Sequence, residues 1–343
     1  MALRWIEGFE GFGSLSGVAL DTEMEKKYTE VTMTSVCTLV TGRGGGSALN
    51  IGNNQSYYFS KTLDEQPTWI IGFAFRTPAA FSGTNRVMVQ IRDGGPAGTL
   101  QMALWSKSDG LMVSRGSTEL ENNTGLFSTN TWYYIEFKTT INAAGSYYVN
   151  VGEVEVMSDT GVDTMESANA YADNISFYNT EGTPYYDDIY ILDATGSLNN
   201  DFLGEMKVLL LLPESDTASI DWTPSAGTDN YALVDENPSN EDTDYIETDT
   251  ATNTDLYNYE DLTGVDQTVY GIQINTQARV TDASAKDLQN VAYSVTTLSP
   301  SATLSVTDTS FKTFSSIEET DPATGALWLA AAVNAAQFGV KMV

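Results

Sequence analysis

The sequence predicts an all-β protein with two domains. Runs of five to ten residues rich in aromatic and β-branched side chains recur along the chain, and segments rich in glycine, asparagine, aspartate and serine separate them. The length of 343 residues is enough for two domains that each bury a core. Short strands at this spacing indicate a β-sandwich.

The first half of the chain supplies the clearest strands. Because their residues are aromatic or β-branched, we expect strands at residues 68–76, 86–92, 100–105, 132–139 and 147–156. Turn-forming residues such as those at 93–96 and 108–110 lie between them. The sequence therefore predicts a sandwich domain over residues 1–196.

Residues 197–343 predict a second, smaller β-rich domain with one short C-terminal helix. We expect its strands at residues 206–212, 269–280, 288–298 and 311–318, and the helix in the alanine-rich segment 326–336. Residues 213–263 are too many for an ordinary connection. They are either ordered by packing on the first domain or a partner, or they form an interaction arm.

Charge is placed unevenly along the chain. There are 46 acidic and 16 basic residues, and fifteen of the acids lie between Glu214 and Asp266. This surface would repel nucleic acid, so no nucleic-acid partner is expected. A solvated acidic surface and a dedicated cation site are the two interpretations of the acidic stretch.

The chain lacks histidine and has a single cysteine, Cys37. Ser-His-Asp and Cys-His mechanisms, histidine zinc sites and disulfide frameworks are therefore excluded. Glu153 and Glu155 alternate in an apparent strand, as the carboxylate pair of a retaining glycosidase would, but a third acid usual in such strands is missing. We predict no catalytic residue and no enzyme, and keep a carboxylate glycosidase as an alternative.

Two acidic aromatic segments, residues 4–12 and 185–193, bracket the first domain. If the first and last strands pair, the carboxylates at their seam could hold calcium, which takes oxygen ligands. The candidate calcium ligands are Glu7, Glu10, Asp187 and Asp188. The alternative is that these residues only close the fold, and no cofactor is required.

Aromatic residues are the candidate ligand contacts, because sugar-binding modules stack pyranose rings on exposed Tyr or Trp. The candidates for glycan stacking are Tyr57, Tyr58, Trp105, Tyr133 and Tyr147. In a sandwich most such side chains are core residues. The glycine-rich segment 42–46 predicts a flexible turn.

Several features together resemble the concanavalin A-like, or laminin-G-like, jelly roll. They are Phe73 and Phe75 on one face, the hairpin at 108–110, the segment 130–137 and a final strand that contains Asp187 and Asp188. The resemblance covers about residues 3–195. It implies a lectin-like first domain.

Other segments resemble structural proteins of tailed bacteriophages, namely residues 187–196, 200–208, 221–224, 321–328 and 333–340. The resemblance implies a non-enzymatic protein on the virion exterior, with a neck or tail appendage or a fibre-associated module favoured. A capsid decoration protein and a free carbohydrate-binding module are the alternatives. The implied partners are other virion proteins, further copies of the chain in a homo-oligomer, with a trimer favoured, and a host surface glycan.

The N-terminal residues show no signal-peptide pattern. The longest aliphatic run, residues 208–212, is far below the roughly 20 residues that span a bilayer. We therefore expect no membrane insertion, assembly in a bacterial cytoplasm and release by lysis.

Overall fold

A computed structural model describes residues 2–33, 35–81, 83–180, 182–264 and 268–343. Strands account for 49% of the chain and helices for 6%, which confirms the predicted all-β class. The chain forms two compact units, Met1–Leu209 and Leu210–Val343, so the division falls later than the predicted boundary at residue 196. None of the helices in the described ranges is long and apolar enough to cross a membrane.

The first unit is built almost entirely from short strands. It also contains the helix α1 (Gly17–Glu25) and a 3-10 helix at Glu10–Phe12. Its strands are β1 (Leu3–Glu7), β2 (Glu30–Val31), β3 (Thr38–Thr41), β4 (Ser47–Asn50), β5 (Tyr58–Gln66), β6 (Thr68–Arg76), β7 (Arg86–Asp93), β8 (Thr99–Lys107), β9 (Gly110–Arg115), β10 (Thr118–Asn123), β11 (Trp132–Thr140), β12 (Gly145–Val151), β13 (Val154–Val162), β14 (Ala172–Tyr178) and β15 (Tyr185–Asp193).

These strands form two antiparallel sheets. Sheet A has the order β13-β12-β11-β6-β15-β4-β3, with β1 also paired to β15, and sheet B has the order β10-β9-β8-β7-β14-β5-β2. Neighbours such as β6 and β15 are far apart in sequence, as in jelly rolls. The predicted jelly-roll sandwich is confirmed.

The core of the first unit lies between the inward faces of the two sheets. On β6 the alternate residues Trp69, Ile71, Phe73 and Phe75 are buried there, which follows from the two-residue period of a strand. Phe177 of sheet B packs edge-on against Phe73, with ring centroids 5.7 Å apart. Interlocked aromatic side chains therefore hold the two layers together.

Strand β15 contains a bulge next to its two aspartates. Its pairing with β6 shifts register between Asp187 and Tyr190, and Asp188 has a φ of 48°. The extra residue interrupts the strict alternation of the strand at this point. Both aspartates are buried, each with 1% of its surface exposed.

A strap, which we define as residues 203–208, crosses the outer face of sheet A. The N–H of Leu203 donates to the Tyr190 hydroxyl (3.3 Å), and the N–H of Gly204 donates to Glu136 Oε1 (2.9 Å). The N–H of Val208 donates to Asp188 Oδ1 (2.9 Å). The strap explains why the first unit extends beyond residue 196.

The second unit is a smaller β-structure. It also contains the helix α2 (Ala330–Ala335) and a 3-10 helix at Tyr231–Leu233. Its strands are β16 (Pro213–Ile220), β17 (Thr223–Pro224), β18 (Ile246–Glu247), β19 (Thr254–Tyr259), β20 (Thr268–Val269), β21 (Ile272–Ala278), β22 (Lys286–Ser294), β23 (Thr297–Pro300), β24 (Leu304–Val306), β25 (Lys312–Glu318), β26 (Trp328–Leu329) and β27 (Gln337–Met342).

The acidic stretch 213–263 is ordered within its own unit. Its strands β16 and β19 join the sheet β16-β19-β27-β22-β23. The fully buried Asp255 accepts hydrogen bonds from the N–H groups of Asp221 (2.7 Å) and Trp222 (2.8 Å) and from Asn230 Nδ2 (2.7 Å). This carboxylate fixes the loop after β16, so contacts inside the second unit order this part of the stretch.

Several elements differ from the sequence prediction, and one of them is the strand expected at residues 206–212, which is irregular and includes part of the strap. Residues 147–156 form a hairpin, β12 and β13, because Gly152 and Glu153 adopt positive φ angles of 57° and 64° that end the strand. The C-terminal helix is shorter than predicted, since Trp328 and Leu329 belong to β26. The helix α1 was not predicted, because it buries only Leu20 and Met24 and so lacks a wide apolar stripe.

We expect Gly72→Ala to destabilise the first unit. Gly72 pairs with Tyr190 and Glu136, and a Cβ at this position would overlap the Tyr190 ring. Overpacking of this kind costs about 1–3 kcal/mol in the free energy of unfolding. Urea unfolding followed by tryptophan fluorescence measures it. Gly11→Ala is the matched control, because a Cβ there meets no atom within 4 Å, and equal midpoints for the two variants would contradict this packing.

Candidate functional site

A row of outward-facing residues crosses all seven strands of sheet B. Each residue of this row is the register partner of the row residue in the next strand. Residues that come next to them along the strands, such as Phe59 and Phe177, face the core. We call this the polar row, and it consists of Glu30, Ser60, Ser176, Gln90, Ala103, Ser114 and Glu119. Its middle residues are small or polar, and its two ends are carboxylates.

The middle of the polar row is tightly packed. Ser176 donates to Asn174 Oδ1 (2.8 Å), and Ser114 donates to the carbonyl of Gly116 (3.1 Å). The Ser60 hydroxyl, in contrast, is buried and has no hydrogen-bond partner within the described part of the chain. Buried polar groups are usually paired, so Ser60 departs from the packing of the other serines in the row.

Aromatic side chains flank the polar row on one side. Tyr58 and Tyr178 are register partners whose rings stack with centroids 4.7 Å apart, and both are half-buried. Half-buried Trp105 donates from Nε1 to Ser114 Oγ (2.8 Å), which ties it to the row. Burial, together with the neighbouring Glu30, raises the pKa of Tyr58, so its hydroxyl stays protonated.

The guanidinium of Arg92 lies against the row, where it contacts Gln90 and also interacts with Tyr178. Arg92 donates from Nε (3.0 Å) and from a terminal nitrogen (2.7 Å) to Gln90 Oε1. A further N–H bonds the carbonyl of Gly98 (2.7 Å). Because both amide contacts use the Gln90 oxygen, its amide nitrogen is left to donate elsewhere.

Two of the five predicted stacking residues, Tyr58 and Trp105, lie on this face. Tyr147 is buried in the core, with its hydroxyl donating to Glu121 Oε2 (2.9 Å). Tyr133 packs against Phe127, and Tyr57 packs against the core. Tyr178 was not among the predicted stacking residues, because only its register with Tyr58 places it on this face.

The four predicted calcium ligands occupy two places. Glu7 accepts hydrogen bonds from the N–H of Phe9 (3.0 Å) and the hydroxyl of Tyr28 (2.7 Å), and it pairs with Lys27 (2.7 Å). These contacts satisfy the Glu7 carboxylate without a metal ion. Glu7 therefore belongs to a separate cluster from the other three acids.

Glu10, Asp187 and Asp188 do interact with one another. Burial raises the pKa of Glu10 to about 8 and that of Asp187 to about 7, and the mutual repulsion of these carboxylates adds to both shifts. Arg43 limits the repulsion, with its Nε 3.1 Å from Asp188 Oδ2 and its backbone N–H 2.7 Å from Asp187 Oδ2.

The predicted turn at residues 42–46 wraps around these acids. A Cβ at Gly46 would overlap Glu10 Oε1, and one at Gly42 would lie 2.5 Å from Asp187 Oδ2, so the close approach requires glycine. Among the described residues, no group of three or more acids and cysteines is arranged to hold a metal ion. Calcium binding stays a prediction.

Glu153 and Glu155 do not form the predicted pair on one strand face. Glu153 lies in the turn between β12 and β13, and Glu155 lies on β13, where it accepts a hydrogen bond from the Ser158 hydroxyl (2.8 Å). Both are exposed. The hairpin turn removes the alternation on which the glycosidase interpretation depended.

Comparisons with known proteins give weak similarities to carbohydrate-active folds. No protein-family model matches the chain, and no curated protein does. An endo-β-1,4-glucuronan lyase from Trichoderma reesei is 13% identical, over 55% of this chain and 95% of the lyase, with a TM-score of 0.39. The alginate lyase vAL-1 from Chlorella virus is 11% identical, over 52% of this chain and 99% of the lyase, with a TM-score of 0.37.

A Trypanosoma rangeli sialidase is 10% identical, over 46% of this chain and 27% of the sialidase, with a TM-score of 0.34. At such identities and TM-scores, the similarities give no information about substrate. The prediction of a non-enzymatic virion protein is nevertheless corrected, because the matched proteins are carbohydrate-active enzymes and none of those named is a virion component. The predicted homotrimer and the phage resemblance stay predictions.

We expect the stability of the first unit to fall as the pH rises through 7 and 8. In the folded chain the pKa is about 8 for Glu10 and about 7 for Asp187, so both carboxyls keep their protons up to these pH values. In the unfolded chain both carboxyls lose their protons near pH 4. The folded state binds more protons between these values, so raising the pH favours unfolding. Thermal melts between pH 5 and 8 at constant ionic strength measure the slope.

Glu10→Gln should flatten this slope, because the amide cannot ionise. The matched control is Glu25→Gln, which removes an exposed carboxylate at the end of α1 and corrects for the loss of one negative charge. If both variants keep the slope of the parent protein, the raised pKa of Glu10 is contradicted.

Proposed function

We propose that the first unit binds carbohydrate on the outer face of sheet B. The observation that carries the proposal is the polar row, which runs across seven strands with aromatic side chains along one side. Six steps between neighbouring strands give it a length of about 29 Å. A surface of that length suits an oligosaccharide chain better than a single small molecule.

The chemistry of this face matches the two surfaces of a sugar. A pyranose ring presents C–H groups that pack on aromatic rings, and half-buried Tyr58, Tyr178 and Trp105 offer such rings. Its hydroxyls both donate and accept hydrogen bonds. The amide nitrogen of Gln90 supplies a donor for them.

Charge favours a neutral or weakly acidic glycan. The row ends in carboxylates at Glu30 and Glu119, and Glu119 is paired with Lys107 (3.0 Å). Arg92 is the cation nearest the middle of the row, through its contact with Gln90. A polyphosphate chain would meet the terminal carboxylates, whereas sugar hydroxyls accept hydrogen bonds from Arg92 and donate them to the carboxylates.

We expect Trp105→Ala to weaken glycan binding by about threefold to tenfold, because one aromatic contact is worth about 0.5–1.5 kcal/mol. A glycan array screened with the full-length protein identifies the ligand. Isothermal titration calorimetry then compares its affinity for the parent and the variant. The same mixtures are assayed for released reducing ends, so that turnover would be detected alongside binding.

Tyr245→Ala is the matched control for Trp105→Ala. Tyr245 is an exposed tyrosine that belongs to the second unit and not to sheet B, and its replacement should leave the affinity unchanged. Absence of binding to every glycan on the array would contradict the proposed function. Equal losses in the two variants would refute the location of the site on sheet B.

A further inference from the structure

A cavity of about 620 Å³ opens at one end of sheet B. Residues just before β5, at the start of β7 and just after β14 line it. Tyr58 is the first residue of β5 and Tyr178 the last of β14, so the cavity adjoins the stacked tyrosine pair. The N–H of Asn179, which lines the cavity, donates to the carbonyl of Tyr57 (2.9 Å), which fixes this junction.

The lining of the cavity is rich in amide groups. Exposed Asn54 and Gln55 lie toward solvent, whereas Asn179 is buried with 2% of its surface exposed. An amide side chain carries a donor and an acceptor on adjacent atoms, which matches neighbouring hydroxyls of a sugar ring. Half-buried Phe81 adds one apolar wall, on which the C–H face of a ring can pack.

Thr180 provides an unused hydrogen-bonding group at this place. It lines the cavity, 2% of its surface is exposed, and its hydroxyl has no hydrogen-bond partner among the residues that the structure describes. Leaving a buried hydroxyl unpaired costs free energy. A ligand hydroxyl that reaches Thr180 would recover that cost, so the position favours a hydroxyl-bearing occupant.

The charge of the cavity also restricts its ligand. Among its described lining residues, Arg86 carries the sole formal charge, and its guanidinium is held by Gln55 Oε1. Arginine has five N–H donors, so most of them stay free for ligand oxygens. A cation would be repelled, whereas a neutral or singly acidic sugar would be accepted.

We infer that this cavity binds the terminal sugar unit of the glycan, so that the protein recognises the end of a chain rather than its interior. The inference rests on the proposed binding site on sheet B, because the rest of the chain would extend from the cavity past Tyr58 and Tyr178 along the polar row. The volume accommodates one or two sugar rings. Recognition of the chain end then depends on Phe81 and Thr180, and affinity for the rest of the chain depends on Trp105.

Competition binding with the full-length protein tests the inference. Free glucose, galactose, mannose, N-acetylglucosamine and glucuronic acid are the probes, measured by saturation-transfer NMR and as competitors of the glycan found on the array. One of these monosaccharides is expected to bind and to displace that glycan. Thr180→Val, which keeps the shape of the side chain, should lower both affinities about fivefold, the effect of one lost hydrogen bond.

The variants separate this inference from the proposed function. Thr180→Val should melt at or above the temperature of the parent protein, because it removes an unpaired buried hydroxyl, and Phe81→Ala should also reduce monosaccharide binding. One outcome overturns chain-end recognition alone: the glycan binds and Trp105→Ala weakens it, but no monosaccharide competes and Thr180→Val binds like the parent protein. The proposed function stands in that case. If no glycan or monosaccharide binds, both are overturned.

Discussion

The pairing of β15 inside sheet A is the constraint on which the first unit depends. This strand pairs with β6 along most of its length and also with β1 and β4, so it joins the N-terminal segment to the centre of the sandwich. Asp187 and Asp188 lie at its bulge, and they bind the glycine turn at 42–46 and the strap at 203–208. The strap in turn covers the part of the outer face of sheet A around Glu136 and Tyr190.

Residue patterns were sufficient to predict much of the fold. The expected strands at 68–76 and 132–139 correspond closely to β6 and β11, because long alternating runs determine both the type and the buried face of a strand. The patterns failed where a single residue changes the backbone. The positive φ angle of Glu153 depends on tertiary context, and it turned one expected strand into a hairpin.

The candidate site was predictable only in part. Tyr58 and Trp105 could be named as ligand contacts, since exposed aromatics are typical of sugar-binding surfaces. Ser60, Ser176 and Ser114 could not, because they come from strands far apart in sequence and form a row only through their register. A serine side chain carries no sequence pattern that marks it as a ligand contact. The virion prediction came from similarity of short segments, which carry no chemistry of a site.

The two faces of sheet B carry different tasks on the same seven strands. Along β14, Ile175 and Phe177 belong to the core, whereas Asn174, Ser176 and Tyr178 face outward, and the pleat keeps the two sets apart. A substitution of half-buried Tyr178 can therefore leave the packing of the inward set intact. Evolution can therefore change which molecule such a protein recognises, one residue at a time, without first finding a new way to fold.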